Sequence, residues 1–83
     1  MSKKSPSVEN AFGEVLRIRR KELGLSQESL SAQTGISLNF ISLCERGLRQ
    51  PSLNTIFLLS RGLNLSPSQI VIQVESLRPT PKT

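Results

Sequence analysis

Residues 25–47, LSQESLSAQTGISLNFISLCERG, constrain this chain more than any other stretch. Two short apolar patterns at helical spacing lie on either side of Gly35 and Ile36. The first starts after Ser26 and carries Leu30 and Ala32. The second starts after Ser37 and carries Phe40, Ile41 and Cys44 before Gly47. A serine hydroxyl can accept from a first-turn amide that has no carbonyl partner, so both serines read as N-caps. Gly35 and Gly47 stand where a left-handed residue ends a helix. Two one-faced helices around a glycine turn have two readings. They form an ordinary helical hairpin, or a helix-turn-helix unit whose second helix enters a DNA groove. Spacing alone leaves both open.

The chain has 83 residues, which suit one small domain and leave no room for a separate sensing or catalytic module. With no Trp or Tyr, the core must come from Leu, Ile, Val and three Phe. The net charge of +5 favours an anionic partner, nucleic acid first and an anionic membrane surface second. A helix can present Arg17, Arg19, Arg20 and Lys21 from a fixed frame. Lys3, Lys4, Arg78 and Lys82 fall in the expected tails.

One cysteine and no histidine exclude an internal disulfide and the usual metal-ligand sets, so neither metal nor cofactor is expected. No paired-carboxylate site or phosphate-cradling glycine loop suggests an enzyme. The N-terminus lacks a secretory signal and no apolar run approaches spanning length. The expectation is a cytoplasmic protein without a membrane partner.

In chain order, residues 1–7 read as a flexible tail, 8–77 as the domain and 78–83 as a second flexible tail containing two prolines. Ser7 can cap a first helix with Glu9 near its positive end. Phe12, Val15, Leu16 and Leu23 recur at helical spacing, Ile18 broadens that stripe, and Gly24 offers a stop. The second helix is expected over 27–33 and the third over 38–46, with Ile36 tucked between them. Ile41 and Cys44 face the core, and Cys44 reads as a small buried apolar residue rather than a reactive thiol. Ser52 restarts a helix over 53–61, in which Leu53, Ile56, Phe57 and Leu59, followed by Leu63, are expected to close the bundle.

Ser66-Pro67-Ser68-Gln69 combines a cap, a first-turn proline and a capping box. Residues 70–77 are ambiguous. Ile70, Ile72 and Val74 alternate as in a strand, whereas Ile70, Val74 and Leu77 follow helical spacing. The cap favours a fifth helix. Its β-branched residues exceed what one small core absorbs, so Ile70, Val71, Val74 and Leu77 are expected at a dimer interface.

A longer pattern runs through Leu16, Arg20, Leu23-Gly24-Leu25-Ser26-Gln27, Leu30, Gly35-Ile36-Ser37, Ile41-Ser42, Glu45-Arg46-Gly47, Arg49, Pro51-Ser52-Leu53 and Leu65-Ser66. In these residues the chain resembles the phage-repressor and Cro-like helix-turn-helix regulators, the xenobiotic-response-element family, which includes small controller-type regulators. The resemblance implies an all-α fold, a compact four- or five-helix lambda-repressor-like domain. It also implies a homodimer on double-stranded operator DNA, with the third helix in the major groove. Three residues depart from the family pattern: Ser31 where Ala is common, Cys44 where a larger apolar residue is common, and Leu43 where a polar or basic residue is common.

Helix geometry and the family's docking mode together give Leu38, Asn39, Ser42 and Leu43 as base-contacting candidates. Asn39 suits paired hydrogen bonds to adenine, and the two leucines suit thymine methyls, so an A/T-containing half-site is expected. Ser42 suits a base edge or a phosphate. Arg46 and Arg49 are phosphate candidates, joined by Ser37 and Ser52, which cap their helices. Phe40 either turns its ring edge to the DNA backbone or fills space between helices. By resemblance, Gln27 contacts phosphate and supports the third helix, while Arg20 and Glu45 form a structural ion pair between the first and third helices. The resulting reading is a sequence-specific regulator. An antitoxin or accessory module, using the same fold to hold another protein, is the alternative.

Overall fold

Among the described residues, 5–83 of the computed structural model, five serines start five helices. Lys3 and Lys4 lie outside the described residues, as does most of the expected N-terminal tail. The helices are α1 (Val8–Glu22), α2 (Gln27–Thr34), α3 (Leu38–Glu45), α4 (Leu53–Leu63) and α5 (Pro67–Ser76). The hydroxyls of Ser7, Ser26, Ser37, Ser52 and Ser66 accept from the amides of Asn10, Ser29, Phe40, Thr55 and Gln69 at 3.0–3.1 Å. Each such cap stabilises its helix by about 1 kcal/mol. At α5 the Gln69 side chain accepts from the Ser66 amide at 2.8 Å, completing a capping box. That cap resolves the ambiguous 70–77 pattern as helix, because a lone strand would leave its backbone groups unpaired.

Alpha1 packs on α3 and α5, α2 on α3 and α4, and α4 on α5. Between them lies one core of Phe12, Leu16, Leu30, Ile36, Ile41, Cys44, Leu59, Leu63 and Ile70. Arg19 ties α1 to the end of α4, its guanidinium donating to the Leu63 carbonyl at 2.9 Å and the Asn64 carbonyl at 3.3 Å. These otherwise orphaned acceptors sit where Asn64 ends the helix at φ 54°.

The structure corrects three expectations about burial. Leu53 and Phe57 do not close the bundle, being 70% and 54% exposed. They lie on the outer side of α4, whose inner side is filled by Leu59 and Leu63 with help from Ile56. Ile18 is likewise exposed. Ile70 is the reverse case. It is 1% exposed and belongs to the monomer core, so it cannot line a surface between subunits. The exposed apolar residues of α5 are Val71 and Ile72, while Val74 packs partly on the core and Leu77 is half-buried.

Residues 78–83, expected as a flexible tail, lie against the start of α1. Arg78 takes a left-handed conformation, φ 53°, and turns the chain back towards α1. The Thr80 amide then donates to the Pro6 carbonyl at 2.9 Å, and Lys82 Nζ lies 3.2 Å from Glu9 Oε2. These partners are more than seventy positions apart in sequence, beyond the reach of any local pattern.

The α2–α3 turn depends on two residues. Gly35 ends α2 at φ 75°, a conformation that a side chain would strain. Ser31, the departure on α2, donates its hydroxyl to the Ile36 carbonyl at 2.5 Å. The hydroxyl therefore fastens the turn to α2 while staying small enough for the close approach of α3. Ser31→Ala is expected to lower stability by about 1 kcal/mol, the usual net value of one part-buried hydrogen bond. Urea unfolding measures it, and an unchanged midpoint would show that the bond contributes nothing.

Candidate nucleic-acid interface

Alpha3 has one face in the core and one in solvent. Ile41 and Cys44, three apart, are both 1% exposed. Burial and the neighbouring Glu45 charge push the Cys44 thiol up to about 11, so it stays protonated and inert at neutral pH. On the opposite side Leu38 is 42% exposed and Asn39 is exposed, both in the first turn. Ser42 and Leu43 are half-buried one turn later. The four base-contacting candidates thus share one helix, with the first two more accessible. Phe40 packs partly on the core, so its ring serves the space between helices.

The attitude of α3 is fixed from its far end. Glu45 accepts from Arg20 twice, Nε at 2.6 Å and Nη2 at 2.9 Å. The third Arg20 donor, Nη1, reaches the Leu25 carbonyl at 2.7 Å. Gln27 Nε2 donates to Glu45 Oε1 at 3.1 Å. One carboxylate therefore joins α1, the start of α2 and the end of α3, while Arg20 also holds the α1–α2 loop through Leu25. A bidentate arginine pair is directional as well as strong, so it sets orientation. Burial raises the Glu45 pKa, but the hydrogen bonds from Arg20 and Gln27 and the charges of Arg20 and Arg17 outweigh it. The net effect holds the carboxyl below its ordinary range.

The phosphate candidates lie at the starts of α2, α3 and α4, just past the end of α3 and in the α3–α4 loop. Gln27 uses one amide hydrogen on Glu45 and keeps its second donor. Ser37 and Ser52 lie exposed at the starts of α3 and α4, their hydroxyls engaged in capping. Arg46 follows α3 and folds its Nε back to the Ser42 carbonyl at 3.4 Å, leaving the remaining donors free of that contact. Arg49 is exposed in the α3–α4 loop, which is anchored by the Leu48 amide on the Leu43 carbonyl at 2.9 Å.

Sequence reading did not single out two features that place α3. One is the Ser31 hydroxyl on the Ile36 carbonyl. The other is Gly13, where α1 crosses the last turn of α3. A Cβ there would overlap the Cys44 carbonyl oxygen and come within 3.0 Å of that of Glu45. A glycine inside an apolar helical stripe was the available signal, since such a residue marks a close backbone approach.

Among the described residues no cluster of His, Cys, Asp and Glu could hold a metal, and no helix is long and apolar enough to cross a membrane.

Comparison with known proteins points the same way. The helix-turn-helix family model HTH_3 matches residues 16–70. The HTH-type transcriptional regulator DicA of Escherichia coli K12 is 41% identical over 70 residues, covering 84% of this chain and 52% of DicA. The chain thus spans about half the length of that relative. Control protein C.MunI of Mycoplasma sp is 34% identical over 65 residues, 77% of this chain and 88% of that protein. The crystal structure of the restriction-modification controller protein C.AhdI from Aeromonas hydrophila is similar with a TM-score of 0.72 at 35% identity. It covers 75% of this chain and 94% of its own. With the greater part of its helical domain matched by the family model, this chain belongs to the HTH_3 helix-turn-helix family of transcriptional regulators.

Proposed function

We propose that this protein is a sequence-specific DNA-binding regulator that sits as a homodimer on an inverted-repeat operator. The observation that carries the reading is α3 itself, clamped at Glu45 by Arg20 and Gln27 while Leu38 and Asn39 stand exposed at its start. A recognition helix needs that combination of a rigid frame and an accessible polar and apolar edge. Asn39 reads adenine, Leu38 and Leu43 meet thymine methyls, and Ser42 serves a base edge or a phosphate. Gln27, Arg46 and Arg49 face phosphates, with Ser37 and Ser52 presenting the starts of α3 and α4, and Phe40 supporting α3 from behind. Self-association is favoured by Val71 and Ile72 on α5 and by Leu53 and Phe57 on α4, large apolar residues that water otherwise covers. Val74 and Leu77 border the α5 surface. DicA is named as a transcriptional regulator and C.AhdI as a restriction-modification controller, and a small DNA reader of this kind fits either setting.

Selection from random duplex DNA at fixed salt, followed by sequencing, tests the reading. An enriched inverted repeat is the expected result. Absence of any enriched sequence, with a tight complex to another protein instead, would favour the accessory-module alternative. Asn39→Ala is expected to lose about 1–3 kcal/mol of discrimination at one base position per half-site. Arg46→Ala is expected to weaken all sites evenly and lower the salt slope by about 1. Should Asn39→Ala leave both preference and affinity intact, α3 does not read bases through that residue.

A further inference from the structure

The C-terminal arm sits beside Arg49, one of the residues proposed to meet phosphate. Pairing of Thr80 with Pro6 lays it along the start of α1. Two residues later, Lys82 meets Glu9 at 3.2 Å while its side chain stays 80% exposed. Glu9, Leu48, Arg49, Gln50 and Lys82 line one shallow, open cleft. Two cations and one carboxylate share that space, leaving it a net single positive charge. Its floor is the α3–α4 loop, anchored to α3 through Leu43. The Glu9 carboxylate would repel a polyanion if left alone, and Lys82 covers it. The same ammonium has three hydrogens, so pairing with one carboxylate oxygen leaves donors directed to solvent. An ion pair this exposed gives the fold little, because water screens it.

We propose that Lys82, pinned by the C-terminal arm beside Arg49, is an additional contact to the phosphate backbone of duplex DNA. The inference rests on the DNA-binding reading of α3. It extends the proposed phosphate contacts from Arg49 in the α3–α4 loop to Lys82. It also explains an arm that returns to α1 rather than trailing away from the domain. Lys82 carries no base information; it positions the domain and adds to the counterions released on binding.

The test is the salt dependence of affinity of the full chain for its selected operator, comparing wild type with Lys82→Gln, Lys82→Arg and Arg46→Ala. Lys82→Gln is expected to weaken every site about three- to tenfold at moderate salt and to lower the slope of log affinity against log salt by about 1. Lys82→Arg restores both. Thermal unfolding of the same variants separates this role from a terminal staple. If Lys82→Gln lowers the melting temperature yet leaves slope and affinity unchanged, Lys82 only staples the arm and the inference is overturned. If Arg46→Ala weakens binding and Lys82→Gln does not, the DNA-binding reading survives without this contact. If wild type binds no duplex, both fall together.

Discussion

Glu45→Ala is expected to remove about 3–5 kcal/mol of folding stability, a large part of the roughly 5–15 kcal/mol that holds a small domain together. The Glu45 side chain is 4% exposed and that of Arg20 10% exposed. Removing the carboxylate strands a guanidinium in the protein interior and strips Gln27 of its acceptor. The loss exceeds the net value of the pair, because an uncompensated buried charge carries its full desolvation cost. Urea unfolding followed by circular dichroism measures it, and a loss below about 1 kcal/mol would mean that the pair behaves like a surface contact.

The same group sets an acid limit. The Glu45 pKa in the folded protein lies below its ordinary value of 4.5. Stability from this carboxylate is therefore fully present above the ordinary value and is lost as pH falls through the depressed one. Wild type is expected to lose stability in this acid window, and Glu45→Gln to start lower but fall less there. Parallel pH profiles would remove Glu45 from the acid response.

Gly13→Ala is the second large effect, and its sign is not what helix propensity gives. Alanine in a helix interior is favoured over glycine by about 1 kcal/mol. Here the added methyl overlaps the Cys44 carbonyl and crowds that of Glu45. Those atoms are backbone and cannot rotate away, so α1 and α3 must separate. Overpacking costs about 1–3 kcal/mol, and an overlap with immovable backbone falls at the upper end, about 3 kcal/mol. The net expectation is a loss of about 2 kcal/mol, lowering the melting temperature by roughly 8–16 °C. A higher melting temperature would show that the helices part without strain. Because α3 carries the proposed readers, operator affinity of the folded variant should fall as well.

Different parts of the molecule were legible to different degrees. Five serines in sequence give five helix starts, because capping is a contact between neighbours three positions apart. The inner face of α3 is equally local, since Ile41 and Cys44 must point the same way on any helix. The role of Ile70 was not legible. On α5 it, Val71 and Ile72 are adjacent apolar residues, and only the position of α1 and α4 decides which is enclosed. For the same reason Leu53 and Phe57 look like core in sequence but lie outside. A periodic stripe gives a face without saying how wide its partner is.

The amino-acid sequence by itself determined the helices, their ends and the division of α3 into an inner and an outer face, all consequences of hydrogen bonds and spacing within a few residues. The family resemblance implied the Arg20–Glu45 pair and a supporting Gln27, but only tertiary structure decided how α3 is aimed, by bringing Arg20 and Gln27 onto the Glu45 carboxylate across three helices and by Gly13 admitting the backbone of α3. It also decided the course of residues 78–83, with Thr80 and Lys82 returned to Pro6 and Glu9. These contacts join residues far apart in the chain, so their geometry exists only once the helices have packed.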